Sequence, residues 1–340
     1  MKTKVYFTID TEASMGGSWK HPDRRPVSAP RHVFCQRGDR SLGIPLIVEI
    51  MSRYGFAGTY FVETLSTAVL GDADTASIFE YLLARKQDVQ LHLHPNFFFY
   101  AESLRARAEG RRYDKPLSCD ELGRFKKELQ GQLLREAIDY FRRFAGCRPR
   151  AFRAGNYCAT STTLRCLQEQ GILVDSSYNA AYPDISFRGE SIEPNRVQKI
   201  EGVWEMPIAV AHTPLPENRT RFKFADCSSL SFPEIRHMLA AAAEAGQEHF
   251  VIVFHCFAAV KAWDVGYYVL RPNRIVIRRI EKLFEYLASH SDQFQVSTIG
   301  EAAAESSSLE SARNAMVVEL GLLQAGVRKV VQLLNTPYWV

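Results

Sequence analysis

The segment Lys4–Glu12 reads KVYFTIDTE, an apolar run that ends in two acidic residues. Its aromatic and β-branched side chains are typical of a strand, and six further runs of this kind follow, separated by segments of helical period. We predict strands over Lys4–Asp10, Phe56–Glu63, Val89–His94, Arg150–Arg153, Ile172–Asp175, Phe250–His255 and Phe294–Ser297. The alternation predicts βα units around a parallel sheet, either as a closed or nearly closed α/β barrel or as an open doubly wound sheet.

The segments of helical period lie between the predicted strands. They predict helices near Ile44–Tyr54, Thr75–Arg85, Cys119–Phe144, Ser161–Gln170, Pro233–Ala245 and Pro272–Ser289. No linker rich in glycine, serine or proline divides the chain, so we predict one barrel domain over residues 1–303. Two stretches, 13–42 and 183–230, are interpreted as insertions into it.

The remaining segment, 304–340, is predicted to be an amphipathic helical extension. It places an apolar residue at every third or fourth position, at Met316, Leu320, Leu323, Val327, Val330 and Leu334. Docking of this stripe on the barrel or on a second copy of the chain is favoured over a membrane-surface helix, because its polar face is mixed in sign rather than basic. A homo-oligomer contact through this helix is therefore one of the two predicted arrangements.

Composition and charge exclude several classes of protein. With 46% hydrophobic and 24% charged residues, the chain does not resemble disordered, collagen-like or coiled-coil proteins. A net charge of +4 over 340 residues gives no argument for nucleic acid. No run approaches the roughly 20 apolar residues of a membrane span. The 7 cysteines form no C-x-x-C pair, and the chain starts without a signal-peptide pattern, so we predict a cytoplasmic protein.

His92 and His94 form the most informative pair of polar residues. Residues i and i+2 of a strand face the same way, so both imidazoles can reach one metal ion. Backbone hydrogen bonds alone would also explain such a pair, but Asp10 and Glu12 are expected at the same mouth of the barrel. We therefore predict a catalytic divalent-metal site in which either Asp10 or Glu12 is the acidic ligand and the other can act as a base.

Three further strand ends carry ionisable groups. Arg153 can hold Asp10 in place and keep it ionised. His255 follows an apolar strand and can donate a proton to a leaving group near neutral pH. Asp175 either stabilises the charged form of His255 or caps a turn.

In these motifs the sequence resembles the polysaccharide deacetylase family, which is also called NodB-homology or carbohydrate esterase family 4. The motifs follow one another in the family's order over residues 4–300: FTIDTE at 7–12, GTYFVE at 58–63, HLHP at 92–95, RAGNY at 153–157 and a late strand that ends at His255. The resemblance implies a distorted (β/α)7-type barrel and a divalent metal, usually zinc, bound by one acid and two histidines. It also implies removal of acetyl groups from N-acetylated sugars.

Carried over residue by residue, the resemblance makes Asp10 the base, His92 and His94 metal ligands, Arg153 the residue that tethers the base, and His255 the acid. Asp175 stands where the acid's carboxylate partner is expected. Two departures affect the ligands. The family's two adjacent aspartates are replaced by Asp10-Thr11-Glu12, and its two histidines are usually four positions apart rather than two.

The predicted substrate is an N-acetylated sugar or glycan intermediate, nucleotide- or lipid-linked, of surface polysaccharide assembly. A basic insertion after the first strand would suit phosphate or uronic acid groups. The predicted substrate contacts are Trp19, Arg24, Arg25, Asn156 and Tyr157. Two alternatives stay open: a metal-dependent hydrolase of cyclic ureides or imides, and a carbohydrate-binding relative without catalytic activity.

Overall fold

The computed structural model describes residues 2–21, 24–214, 220–305, 309 and 315–335. Its strands are β1 Thr3–Thr11, β2 Gln36–Arg37, β3 Arg40–Ser41, β4 Thr59–Glu63, β5 Asp88–Leu93, β6 Ala151–Ala154, β7 Val174–Asp175, β8 Gln198–Ile200, β9 Val203–Glu205, β10 Val210–Pro214, β11 Thr220–Phe224, β12 His249–His255, β13 Val260–Ala262, β14 Leu270–Pro272 and β15 Phe294–Ser297. All seven predicted strands are therefore present, with ends that differ by up to three residues.

The main sheet has nine strands in the order β12-β1-β4-β5-β6-β7-β9-β8, and β15 pairs with the first half of β1. All pairs in it are parallel except β8 with β9. Isolated parallel bridges from Ile208 to Val251 and from Asp226 to Val253 connect the chain after β9 back to β12. The sheet is thus curled into a half-barrel, which confirms the predicted α/β fold class.

The helices are α1 Ala29–His32, α2 Ile44–Ser52, α3 Thr67–Leu70, α4 Asp72–Ala84, α5 Pro95–Ala108, α6 Lys127–Ala145, α7 Ser161–Glu169, α8 Phe232–Glu244, α9 Arg274–Ser289, α10 Ile299–Ala304 and α11 Leu322–Asn335. They cover the sheet through one large apolar core that contains Phe7, Phe79 and Phe284. In the described part of the chain, no helix combines the length and the apolar character needed to cross a membrane.

In the described chain α5 is a helix that was not predicted, and the predicted start of α6 is wrong. Residues 95–108 form α5, a helix that the sequence pattern did not indicate, and Phe97, Phe98 and Phe99 are buried in the core. Proline at its first position suits a helix start. The predicted helix over Cys119–Phe144 begins only at Lys127, because the chain before it forms a loop and a short 3-10 turn.

Along α11 the predicted apolar stripe does not pack on the barrel, and its docking on a second copy of the chain stays a prediction. In α11 the inward face carries Ala325 and Arg328, whereas Leu323 is 87% exposed and Val327 63% exposed. Arg328 pairs with buried Glu234 of α8 at 3.1 Å. The predicted apolar stripe therefore faces outward, although Leu320 just before α11 is buried; residues 306–308 and 310–314 of the extension lie outside the described residues.

Candidate active site

Glu12 contacts both predicted metal histidines. The residue follows β1 directly, and its Oε2 lies 3.3 Å from Nε2 of His92 and in close contact with Nε2 of His94. One ligand atom from each of the three side chains lies within 4.8 Å of the other two. Among the described residues this is the one such group of three, and Asp10 is not part of it. The structure thus favours Glu12 over Asp10 as the acidic ligand.

Hydrogen bonds on the far side of each ring fix the orientation of the two histidines. His92 Nδ1 donates to the backbone oxygen of Arg153 at 2.7 Å, and His94 Nδ1 donates to Oδ2 of Asp120 at 2.8 Å. Both Nε2 atoms are therefore directed at Glu12. Partners of this kind set the tautomer and orientation of histidines that bind metals.

Charge balance in the cluster shifts two pKa values in opposite directions. Burial alone would raise the pKa of Glu12, but the two histidines outweigh it and hold that pKa well below its usual range. Burial alone would lower the pKa of His94, but Asp120 and Glu12 outweigh it and raise that pKa well above its usual range. The site therefore holds an ionised Glu12 carboxylate beside His94, as a cation site requires.

These residues fit a divalent metal ion. The cluster offers two imidazole nitrogens and one carboxylate, and a cavity adjoins it. Catalytic zinc sites use three ligands of this kind and keep a fourth position open. Glu12, His92 and His94 are the side chains that would bind the ion. Asp120 would act through His94 as its orienting partner.

Asp10 lies beside this cluster in a buried ion pair. Its Oδ1 accepts a hydrogen bond of 2.8 Å from Arg153, and the two side chains are 3% and 0% exposed. Arg153 also donates to the Thr8 hydroxyl and to the Ser176 backbone and hydroxyl oxygens. The predicted contact between Arg153 and Asp10 is thus present, and three further acceptor oxygens hold the guanidinium in place.

His255 borders the same carboxylate. The register of β1 with β12 pairs Asp10 with His255, and Asp10 Oδ2 lies 3.9 Å from His255 Nε2. The side chain of His255 is 29% exposed, so a solvent-borne ligand can reach it. Its assignment as a proton donor stays a prediction.

Asp175 does not lie against His255. Its Oδ1 accepts a hydrogen bond from Ser177 Oγ at 2.7 Å, and the β7–β9 register places it beside Glu205, another fully buried acid. Burial raises the pKa of both carboxyl groups, and in Glu205 the neighbouring Asp175 raises it further. The predicted support of His255 by Asp175 is therefore corrected: within the described residues the partner of Asp175 is Glu205.

A cavity of about 290 Å³ opens beside the ligand cluster. Glu12, His94 and Asp120 line it, and the insertion after β1 contributes part of its wall. The described lining residues of that insertion are Ala13, Ser14, Met15, Trp19 and His32. The insertion therefore forms part of the wall of the site.

Only some of the predicted substrate contacts reach this cavity. Trp19 and Asn156 line it, and Asn156 Nδ2 donates to Asp120 Oδ2 at 2.9 Å. Arg24 and Arg25 are exposed and are not among the described lining residues. Tyr157 is buried, and its ring stacks on Tyr182 at 5.6 Å, so that face is not available to a sugar.

Two residues of the site were not predicted from the sequence. Asp120 lies 26 positions after His94 in an irregular loop. His32 donates from Nδ1 to the backbone oxygen of Glu12 at 2.7 Å, and burial lowers its pKa to about 4. The available signal for His32 is its position in the insertion that directly follows β1.

Comparison with solved structures identifies the fold. A protein from Mycobacterium smegmatis named as a polysaccharide deacetylase matches with a TM-score of 0.54 at 16% identity, over 94% of this chain and 96% of its own. A protein from Parabacteroides distasonis named as a glycoside hydrolase/deacetylase matches with a TM-score of 0.55 at 11% identity, over 89% and 71% of the two chains. The chain has the polysaccharide deacetylase fold.

A structure named as PuuE allantoinase shares this fold, with a TM-score of 0.50 at 13% identity over 89% of each chain. No protein-family model matches the chain, and no curated protein does. The similarity therefore establishes the architecture alone, and the side chains of the site determine the chemistry that this chain can perform.

Proposed function

We propose that this protein is a metal-dependent hydrolase that removes the acetyl group from an N-acetylated sugar. The observation that carries the proposal is the juxtaposition of two groups: the oriented cluster of Glu12, His92 and His94, and the buried ion pair of Asp10 with Arg153. The first group supplies ligands for a cation. The second supplies a carboxylate, held by a guanidinium, next to these ligands.

Each side chain has a definite task in amide hydrolysis. A divalent ion bound by Glu12 and the two histidines would act as a Lewis acid on the acetyl carbonyl and lower the pKa of water. Asp10 accepts a proton from the attacking water, and Arg153 holds the Asp10 carboxylate in place. As the C–N bond breaks, His255 donates a proton to the amine nitrogen, so acetate and the free amine leave.

Zinc is the ion that we propose for this site. Its usual catalytic ligands are three side chains drawn from histidine and acidic residues, with one position left open. Elemental analysis of protein purified without added metal or chelator tests this directly. The proposal expects about one zinc per chain.

The substrate that we propose is a nucleotide- or lipid-linked sugar, an intermediate of O-antigen or capsule assembly in the cytoplasm. Trp19 at the cavity can pack on a sugar ring, and Asn156 can hydrogen-bond to its hydroxyls. All 7 cysteines are unpaired, which is typical of reducing compartments. Association of two copies through α11 stays a prediction.

Acetate release from N-acetylated nucleotide sugars tests the activity, with Glu12→Gln as the variant. The amide cannot supply an anionic oxygen, so we expect loss of both metal and acetate release. Exposed Glu80, in α4, provides the matched control Glu80→Gln, which should retain both. Ring opening of a small ureide without acetate release would instead identify a cyclic amide hydrolase. A wild-type protein without metal that binds glycans would be a non-catalytic relative.

A further inference from the structure

The outward face of α11 is apolar along the length of the helix. Five large apolar side chains of this helix have exposed fractions between 57% and 87%: Leu322, Leu323, Val327, Val330 and Leu333. An α-helix turns by about 100° per residue, so the five positions fall within an arc of roughly 140°. Among the described residues, no charged or polar side chain falls within this arc. We call it the apolar face of α11. Exposed apolar surface of this kind is typical of a docking site.

The inward face of α11 is the more polar one, which is the reverse of an ordinary surface helix. Arg328 on this side pairs with Glu234 and donates to the Thr213 hydroxyl at 3.5 Å. In the described part of the helix, Ala325 is the other buried side chain. The barrel therefore does not use the apolar face of α11 for packing, and the gain from removing that face from water is available to an external partner.

The helix α11 contains no acidic residue. The acidic residues of the C-terminal segment, Glu305, Glu310 and Glu319, all precede it in the sequence. Its charged residues are Arg328, which is buried, and Lys329, which is exposed beside the apolar face. The helix as the structure delimits it is therefore basic rather than mixed in sign.

Cations of α9 lie beside the apolar face of α11. A cavity of about 260 Å³ is lined by Val327 and Val331 of α11 and by Arg278 and Lys282 of α9. Both cations are exposed, and neither forms an ion pair with a carboxylate of the described chain. No acidic side chain is present among the described lining residues. The apolar face thus has a basic border on the side of α9.

The β10–β11 hairpin, which α11 also contacts, adds two further cations. Thr213 of β10, whose hydroxyl accepts from Arg328, lies directly opposite Arg221 of β11. Side chains at directly opposite positions of an antiparallel pair point to the same face of the sheet, and so do residues two positions apart. Arg221 and Lys223 therefore lie on the face of the hairpin that α11 contacts. Cations from two neighbouring elements surround the helix.

We propose that the apolar face of α11 docks on an anionic phospholipid surface. Interfacial helices insert an apolar face into the boundary of the bilayer and contact anionic headgroups through basic residues. The apolar face of α11, with Arg278 and Lys282 beside it, presents both parts. The helix has 14 residues and lies in the plane of the interface without crossing the bilayer. This inference does not rest on the proposed deacetylase activity.

A second copy of the chain is the other candidate for this face, and charge disfavours it. A symmetric dimer brings the same patch of both copies together. Its two apolar faces would meet, but Arg278, Lys282 and Lys329 of one copy would approach the same cations of the other. Like charges placed together oppose association, and the described residues that line the cavity at Val327 include no carboxylate to offset them. An anionic lipid surface supplies the negative charge that this patch lacks.

Co-sedimentation of the full chain with lipid vesicles tests the proposal. One set of vesicles contains phosphatidylcholine and phosphatidylglycerol in equal parts, and the neutral set contains phosphatidylcholine alone. We expect the wild type to bind the mixed vesicles about tenfold or more tightly than the neutral ones, because anionic lipids attract basic residues near the surface. Binding to the mixed vesicles should weaken as the salt concentration rises.

The double variant Leu323→Gln with Val327→Gln tests the apolar face. Both side chains point outward, so the variant should keep the fold. The loss of two aliphatic side chains from the interface should weaken binding to the mixed vesicles by about a hundredfold or more. The matched control, Leu83→Gln with Leu104→Gln, removes two exposed leucines from α4 and α5 and should bind like the wild type.

The double variant Arg278→Gln with Lys282→Gln tests the basic border. We expect binding to the mixed vesicles to weaken by about tenfold, and binding to the neutral vesicles to stay unchanged. Its control, Arg107→Gln with Arg135→Gln, removes two exposed cations from α5 and α6. The control should bind both kinds of vesicle like the wild type.

Several outcomes would overturn the proposal. One is the absence of wild-type binding to the mixed vesicles, and another is equal binding to the mixed and the neutral ones. Unchanged binding in Leu323→Gln with Val327→Gln, or an equal loss in either control, would place the contact elsewhere. Sedimentation velocity identifies the remaining candidate: a dimer that this variant dissociates, together with no binding to vesicles, would show that the apolar face of α11 joins two copies.

Discussion

Gly155 lies directly against the ring of His94. A Cβ atom at residue 155 would lie 2.6 Å from Cε1 and Nδ1 of His94, closer than real contacts allow. The ring is held between Glu12 and Asp120, so it can move away only by losing one of them. We expect Gly155→Ala to weaken metal binding by about tenfold or more, or about 1.4 kcal/mol, as measured by competition with a chelator.

Gly131 provides the control for this prediction. It lies inside α6, where an added Cβ would meet only the flexible end of Arg135 at 3.4 Å. Alanine is favoured over glycine in a helix, so Gly131→Ala should bind metal normally and should not lose stability. Normal metal affinity in Gly155→Ala would show that the His94 ring is not a ligand.

Two buried acids face each other on neighbouring strands, Asp175 on β7 and Glu205 on β9. We expect this pair to make the free energy of unfolding depend on pH. Ser177 Oγ donates to one oxygen of Asp175, and the Tyr178 backbone donates to one oxygen of Glu205. The remaining oxygens, Oδ2 and Oε2, are buried and have no other hydrogen-bond partner in the described residues. The two acids can satisfy these oxygens by sharing a proton.

The sign of this effect follows from the raised pKa values of both acids, caused first by burial. Above the unfolded pKa of about 4, the native state binds more protons than the unfolded chain, so the free energy of unfolding falls as pH rises. Glu205→Gln supplies an N–H donor without titrating. We expect it to flatten this fall in urea unfolding measured between pH 5 and pH 8, whereas Glu80→Gln should retain the wild-type slope.

The strand ends could be predicted from the sequence, and the loops between them could not. Two general rules predict where the side chains at the strand ends lie. Side chains alternate along a strand, and the carboxyl ends of parallel strands meet at one mouth. These rules place Asp10, Glu12, His92 and Arg153. Asp120 comes from a loop whose path depends on how α5 and α6 pack. No spacing rule connects it to the histidines.

The same limit explains the errors in the helices and in the partner of Asp175. In α5, three consecutive phenylalanines hide the amphipathic period because the helix start is buried on several sides. The pairing of Asp175 with Glu205 depends on the register of two very short strands, which the chain reaches through a long insertion. Such register is set by tertiary packing and leaves little trace in sequence.

The helix α11 is attached to the barrel by a buried ion pair rather than by its apolar stripe. Arg328 and Glu234 are 4% and 0% exposed, and Glu234 also accepts hydrogen bonds from Ser231 at the start of α8. Removal of one partner leaves the other charge buried, which typically costs about 3–5 kcal/mol. Leu323 and Val327 point outward, so their replacement by polar residues should change stability by no more than about 0.5 kcal/mol.

We therefore expect Arg328→Met to release α11 from the barrel, whereas the double variant Leu323→Gln with Val327→Gln keeps it docked. Hydrogen exchange of the α11 amides distinguishes the two cases, because undocking exposes them while the barrel stays protected. In Arg328→Met the protection of α11 should be lost, and in the double variant it should match the wild type. The opposite pattern would mean that the apolar stripe attaches α11 in solution, through a surface that the single chain does not contain.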